Sequence, residues 1–165
     1  MLQSLIASRE ARALSLMRDD AGARRLSESM RLVERDGRGR PSPDWAAFHG
    51  HPELDYAQGL LHTESGHHGR AVVFLRAALD HLDRTYGRNR ALYRLTLARS
   101  LVNAGEVDEG GAQAVASLKH LDEVESGRVL RRLTEVVDLL GGADAISARD
   151  AAAELTEYVQ ERGIA

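Results

Sequence analysis

The chain has 165 residues, enough for one domain with a real core, since a chain of this size buries roughly 70% of its unfolded surface. Its aromatic content is 4%, cysteine is absent and the formal charge is −3. Disulfide staples, thiolate metal sites and thiol nucleophiles are thereby excluded, and a polyanion is a poor partner for a chain without a basic excess.

The apolar share rests mostly on Ala, Leu and Val, a mixture that favours helix, so an all-α fold is expected. From Leu2 to Arg18 the residues Leu2, Leu5, Ile6, Leu14 and Met17 recur at helical spacing. Asp19-Asp20-Ala21-Gly22 reads as a turn whose acidic residues suit the start of the next helix. That helix, about Ala21 to Glu34, presents Ala23, Leu26, Met30 and Val33 on one side. Residues 1–35 thus read as a degenerate helical pair. Asp36 to Asp44 carries two Gly and two Pro and reads as a linker, with Arg35, Arg38 and Arg40 as its solvated charges. Trp45 and Phe48 fall three apart, on one face of a helical turn, and read as an aromatic anchor closing the segment 36–48.

His49, His51, His62, His67 and His68 bring five of the seven histidines close together in sequence. Imidazole is a common metal ligand, but His67 and His68 fall in a turn where adjacent side chains diverge. No Cys and no H-E-x-x-H helix completes a site, so no metal and no cofactor are expected. Glu53 to Ser65 and Arg70 to Arg84 form the next helical pair, repeat 50–84, whose core is expected from Leu54, Leu61, Val72, Leu75, Leu79 and Leu82. Gly87 is placed as a C-cap and Asn89 as an N-cap for the helix reaching Ala104, with Leu95, Ala98, Leu101 and Val102 on one stripe. Gly105 turns the chain into Asp108 to Leu121, completing repeat 89–121; Gly110-Gly111 either weakens this helix or lets a neighbour approach closely. Ser126 to Leu140 presents Val129, Leu130, Leu133, Val136, Val137 and Leu140 on one side. Ile146 to Arg162 follows the stop at Gly141-Gly142, so 125–163 reads as a terminal helical pair acting as a lid.

Two of these pairs share a pattern. Gly59-Leu60-Leu61-His62, the turn glycine Gly66, then Ala71 and Leu75 match Ala98-Arg99-Ser100-Leu101, the turn glycine Gly105, then Gly110 and Ala114. The offset is about 39 residues, as expected of helical-pair repeats. Small residues at these places let antiparallel helices nest. The pattern is that of a tetratricopeptide-like solenoid spanning residues 1–165 as a single domain.

No nucleophile elbow, P-loop, dinucleotide fingerprint or zincin helix occurs, and Gly105 to Gly111 is acidic, the wrong sign for phosphate. Catalytic residues are therefore not assigned, and the expected function is non-catalytic binding. In a two-helix solenoid the first helix of each pair lines the inner surface. The inner positions are expected to include Glu53, Tyr56, Leu60, Thr63 and Glu64; Leu92, Leu95, Arg99, Val102 and Asn103; and Arg12 and Ser15. Of these, Tyr56, Leu60, Thr63, Arg99, Asn103 and Arg12 are the candidate binding residues for a peptide, protein or small-molecule ligand. The alternative is an enzyme on the same scaffold, a stand-alone biosynthetic-pathway protein using the histidine-rich segment 49–68. No apolar run approaches the ~20 residues of a membrane span, and Met1-Leu2-Gln3-Ser4 lacks the features of a signal peptide. A cytoplasmic protein that binds neither membrane nor DNA is expected; a homodimer is left open.

Trp45-Ala-Ala-Phe48, Glu53-Leu54, Asn89-Arg90-Ala91-Leu92-Tyr93, Leu97-Ala98-Arg99, Ala104 to Glu109 and Ser126 to Leu133, in this order, carry a family resemblance. From about Met1 to Leu140 the chain resembles the C-terminal tetratricopeptide-like region of bacterial helix-turn-helix regulators of the Xre type. The resemblance implies a sensor for a peptide, small molecule or partner, attached behind a DNA-binding head. Nothing before Met1 supplies a recognition helix, so the chain is expected to be the sensor part of such a regulator or a stand-alone relative. The histidine-rich stretch departs from the family pattern.

Overall fold

The computed structural model describes residues 2–17, 19, 21–36, 49–121 and 126–162. Among these residues all regular structure is helical: α1 (Leu2–Leu16), α2 (Ala21–Asp36), α3 (His51–Glu64), α4 (His68–His81), α5 (Gly87–Ala104), α6 (Val107–Leu118), α7 (Gly127–Gly141) and α8 (Ile146–Glu161). The all-α expectation holds for them, and no helix among them is long and apolar enough to cross a membrane. Arg38, Arg40, Trp45 and Phe48 lie outside the described residues. The chain forms two compact units, Met1–His81 with α1 to α4 and Leu82–Ala165 with α5 to α8.

In the first unit α1 pairs with α2 and α3 with α4, while α1 and α2 both pack on α3. The contact between α3 and α4 needs a glycine: a Cβ on Gly59 would lie 2.5 Å from Leu75 Cγ. Gly66, at φ +76, then reverses the chain, and His67 N–H donates to His62 O at 2.9 Å, the six-to-one bond of a helix C-terminus. Leu54, Val72, Leu75 and Leu79 are buried as expected, whereas Leu61 is only half-buried; Leu82, the first residue of the second unit, is buried too.

The first hairpin differs from its sequence reading. On α1 it is Ser4, Ala7, Ser8 and Ala11 that are buried, while Leu2, Ile6 and Met17 are exposed and Leu5 and Leu14 half-buried. The reason is close approach: a Cβ on Gly22 of α2 would lie 2.9 Å from Ala11 O and 3.0 Å from Ser15 N, so only small side chains fit between the two helices. The turn nonetheless repeats the chemistry of the next hairpin, with Asp19 N–H donating to Leu14 O at 2.9 Å. Asp19 Oδ1 accepts from Ala21 N–H at 2.8 Å and so caps α2.

In the second unit α5 pairs with α6 and α7 with α8; α5 packs on α7, and α6 on α8. First helices thus lie beside first helices and second beside second. Gly110 and Gly111 are contact glycines: a Cβ on Gly110 would meet Val102 Cγ2 at 2.6 Å and Ala98 O at 3.2 Å, and one on Gly111 would meet Ala151 Cβ at 3.2 Å. One glycine admits α5 and its neighbour admits α8. Gly105 has φ +91, and Glu106 N–H donates to Leu101 O at 2.9 Å, the same bond as at His67 and Asp19. Val129, Leu133, Val136 and Leu140 make the buried stripe of α7, meeting Ala148 and Leu155 of α8 in a core closed to water.

Gly87 and Asn89 do not cap helices. Gly87 is the first residue of α5 and Asn89 lies within it, with Tyr86 at the cap position. Arg90 N–H reaches Tyr86 O at 2.9 Å, so the helix begins one turn earlier than the caps suggested. Leu82 to Tyr86 is the connection, held by Asp83 Oδ1 accepting from Thr85 N–H at 2.8 Å.

Candidate functional site

The six candidate residues fall into two groups, one on each unit. On the first unit Tyr56, Leu60 and Thr63 of α3 are buried, at 7%, 6% and 2% exposure. Thr63 Oγ1 donates to Gly59 O at 2.9 Å, within its own helix. These three side chains are core, and what they offer a ligand is the shape of the surface above them. Arg12 of α1 is half-exposed, and its Nη2 donates to Glu64 Oε1 of α3 at 3.0 Å. The pair is incomplete: Arg12 Nε and Glu64 Oε2 are both enclosed and meet no partner. Arg9 approaches Glu53 at 3.8 Å, adding a second, looser link between the two first helices.

On the second unit Arg99 and Asn103 come together on α5, where Asn103 Nδ2 donates to Arg99 O at 2.7 Å. Arg99 Nη1 lies 3.9 Å from Glu135 Oε2 of α7, and Arg132 donates to the same oxygen. Arg99 and Asn103 stay within reach of solvent. The companion positions Leu92 and Leu95 are buried, and Val102 is half-buried with its methyl against Gly110.

The register of the two groups agrees. Arg12 stands two residues before Leu14, and Arg99 two before Leu101, the carbonyls that accept the turn bonds from Asp19 and Glu106. Each arginine reaches a glutamate on the next first helix of its own unit. Leu60 holds the corresponding place before His62.

The histidines do not converge, and no group of three or more His, Asp or Glu able to hold a metal ion occurs among the described residues. His49 is fully buried, and its Nε2 lies 2.9 Å from Ser4 Oγ, which in turn lies 2.9 Å from Ser29 Oγ. A serine and a histidine at this distance have the spacing of a nucleophile and its base, but both are at 0% exposure and no substrate reaches them. Burial, with Arg9 nearby, lowers the His49 pKa to about 4, so the ring is neutral at pH 7 and acts as a polar staple. His62 stacks on Phe74 at 5.4 Å between ring centroids and meets His67 edge-on at 6.0 Å; burial, then His67 and Arg70, lower its pKa as well. His51 and His67 are exposed.

Sequence reasoning missed three features: the serine–histidine network, the contact glycine Gly22, and a shallow groove of about 660 Å³ between α7 and α8 lined by Val137, Gly141, Ala152 and Thr156. The small residues at 22, 141 and 152 were the available signals. Comparison of the chain with family models, with curated proteins and with solved structures gives no match.

Proposed function

We propose that the chain is a non-catalytic binding module, a tetratricopeptide-like array of helical hairpins that holds an extended peptide on the faces of its first helices that carry Arg12 and Arg99. On this reading it is the sensor part, or a stand-alone relative, of a helix-turn-helix regulator. One observation carries it: Arg12 and Arg99 occupy the same place in their hairpins, each bridging to a glutamate of the next first helix in its unit. Within each unit, a polar, half-exposed face on two neighbouring first helices suits a chain-like ligand, whose backbone offers donors and acceptors at regular intervals. The Arg12–Glu64 pair keeps one unmet donor, Arg12 Nε, and one unmet acceptor, Glu64 Oε2, for a peptide amide to satisfy. Arginine is also a residue type in which binding energy concentrates.

The enzyme reading has less support, because its best pair, Ser4 and His49, is sealed in the core. Selecting peptides from a displayed library on the immobilised protein tests the proposal. Binders should lose about tenfold or more in affinity, on the order of 1.4 kcal/mol, in Arg99→Ala or Arg12→Ala. Arg149→Ala, on α8, should leave them unchanged. Binders indifferent to both first-helix arginines would overturn the assignment.

A further inference from the structure

On the second unit, away from Arg99 and Asn103, the α5–α6 hairpin gathers Arg90, Arg94, Lys119 and His120, and among the described residues the nearby carboxylate is Asp83, whose pKa Arg90 helps to lower after its own bonds to Thr85. Arg90 and Arg94 are one turn apart on α5. Arg94 Nη1 donates to Gln113 Oε1 of α6, which fixes the antiparallel register. One turn back on α5 then faces one to two turns onward from Gln113, so Arg90 comes level with Ser117 and the turn holding Lys119 and His120. Arg90 Nη2 donates to Leu82 O at 2.6 Å. Among the described residues no carboxylate pairs with Arg90, Arg94, Lys119 or His120, in a chain whose net charge is −3.

Three nitrogens of this group, Arg90 Nε, Arg94 Nε and His120 Nε2, are enclosed and meet no acceptor. Among the described residues the remaining terminal nitrogen of each guanidinium has no bond partner, and it is not among the enclosed atoms. The side chains are half-buried, so the cluster is both reachable and partly screened from water. Like charges held together in such a place oppose one another. The effect is visible at two of them: burial and Arg90 lower the Arg94 pKa, and burial, Lys119, Arg94 and Arg90 lower that of His120.

We propose that Arg90, Arg94 and His120 form a binding site for a phosphoryl group, either inorganic phosphate or the phosphate of a small monoester. Each guanidinium offers its open terminal nitrogen as a charged donor to one oxygen of the anion, and a protonated His120 adds positive charge beside them. The dianion removes the repulsion among the cations, and this, rather than apolar burial, drives its binding. The site does not depend on the peptide-binding reading, since it shares no residue with that surface.

The test is an NMR titration of His120 in phosphate, in phenyl phosphate and in chloride at equal ionic strength. The bound anion should raise the His120 pKa by about half a unit or more relative to chloride, and the rise should vanish in Arg94→Gln while persisting in Arg149→Gln. A response to both anions marks a site for phosphoryl groups in general, and a response to phosphate alone marks the free ion as ligand. Identical titrations in all three salts would overturn the proposal. So would a phosphate response seen only after Asp122, Glu123 and Glu125 are neutralised, because the chain's own carboxylates would then be the occupants.

Discussion

Gly110 shows how much a single missing methyl group can decide. A Cβ there would press on Val102 Cγ2 and on the backbone oxygen of Ala98, and backbone cannot rotate away. Gly110→Ala should therefore destabilise the protein by about 1–3 kcal/mol. Gly69, early in α4 with nothing within 4 Å of its Cβ position, is the control. Gly69→Ala should be neutral or stabilise by about 0.4–1 kcal/mol. Urea midpoints for the two variants check the pair of expectations, and equal shifts would mean that helix propensity alone governs both.

His49 sets a second expectation at the same scale. Its pKa is about 4 in the folded protein against about 6.5 when unfolded, so the unfolded chain binds the extra proton first. The stability contributed by the neutral ring is complete above about pH 6.5 and is lost as pH falls through about 4. The loss should approach about 3 kcal/mol. In His49→Gln the slope of urea midpoint against pH should flatten over this window; an unchanged slope would place the acid sensitivity elsewhere. None of this was legible from sequence, because the bonds join residues 25 and 45 positions apart. Spacing along the chain reports faces of one helix, not polar meetings between three segments.

At the scale of elements, the turns were the most readable feature. Gly66 and Gly105 were expected at hairpin turns, and both adopt positive φ beside an equivalent six-to-one hydrogen bond. Turn glycines are legible because their conformation is a local demand that few other residues meet. The face of α1 was not legible. Apolar periodicity pointed to Leu2, Ile6 and Met17, but close helix contact selects small size over hydrophobicity, so Ser4 and Ala7 went inside. Gly87 and Asn89 misled for a related reason: capping residue types also occur inside helices when packing holds the backbone.

The helices should accordingly differ in how easily they open. Half of the 18 residues of α5 are buried, among them Leu95, Leu97 and Leu101, whereas α1 buries only two serines and two alanines. Local opening costs least where few apolar contacts are lost. Amide exchange should therefore be slowest in the middle of α5 and fastest, among the helices, in α1. Equal protection of the two would contradict this account of where the core energy lies.

For the whole molecule, the sequence sufficed to read an all-helical chain built of hairpins, and the described helices agree. The residues of the proposed binding face were less legible. Tyr56, Leu60 and Thr63 satisfy the same periodicity as the arginines yet lie in the core, since helical spacing does not say how wide the buried stripe is. Arg12, Arg99 and Asn103 remain as the reachable members of the set. The central claim is the proposal that binding resides on the faces of the first helices that carry Arg12 and Arg99. The most direct measurement is an amide chemical-shift map of the labelled protein with a selected peptide. The largest changes should fall on α1 and α3, or on α5 and α7, around Arg12 and Arg99. Changes centred on α2, α4, α6 or α8, with the first helices silent, would contradict it.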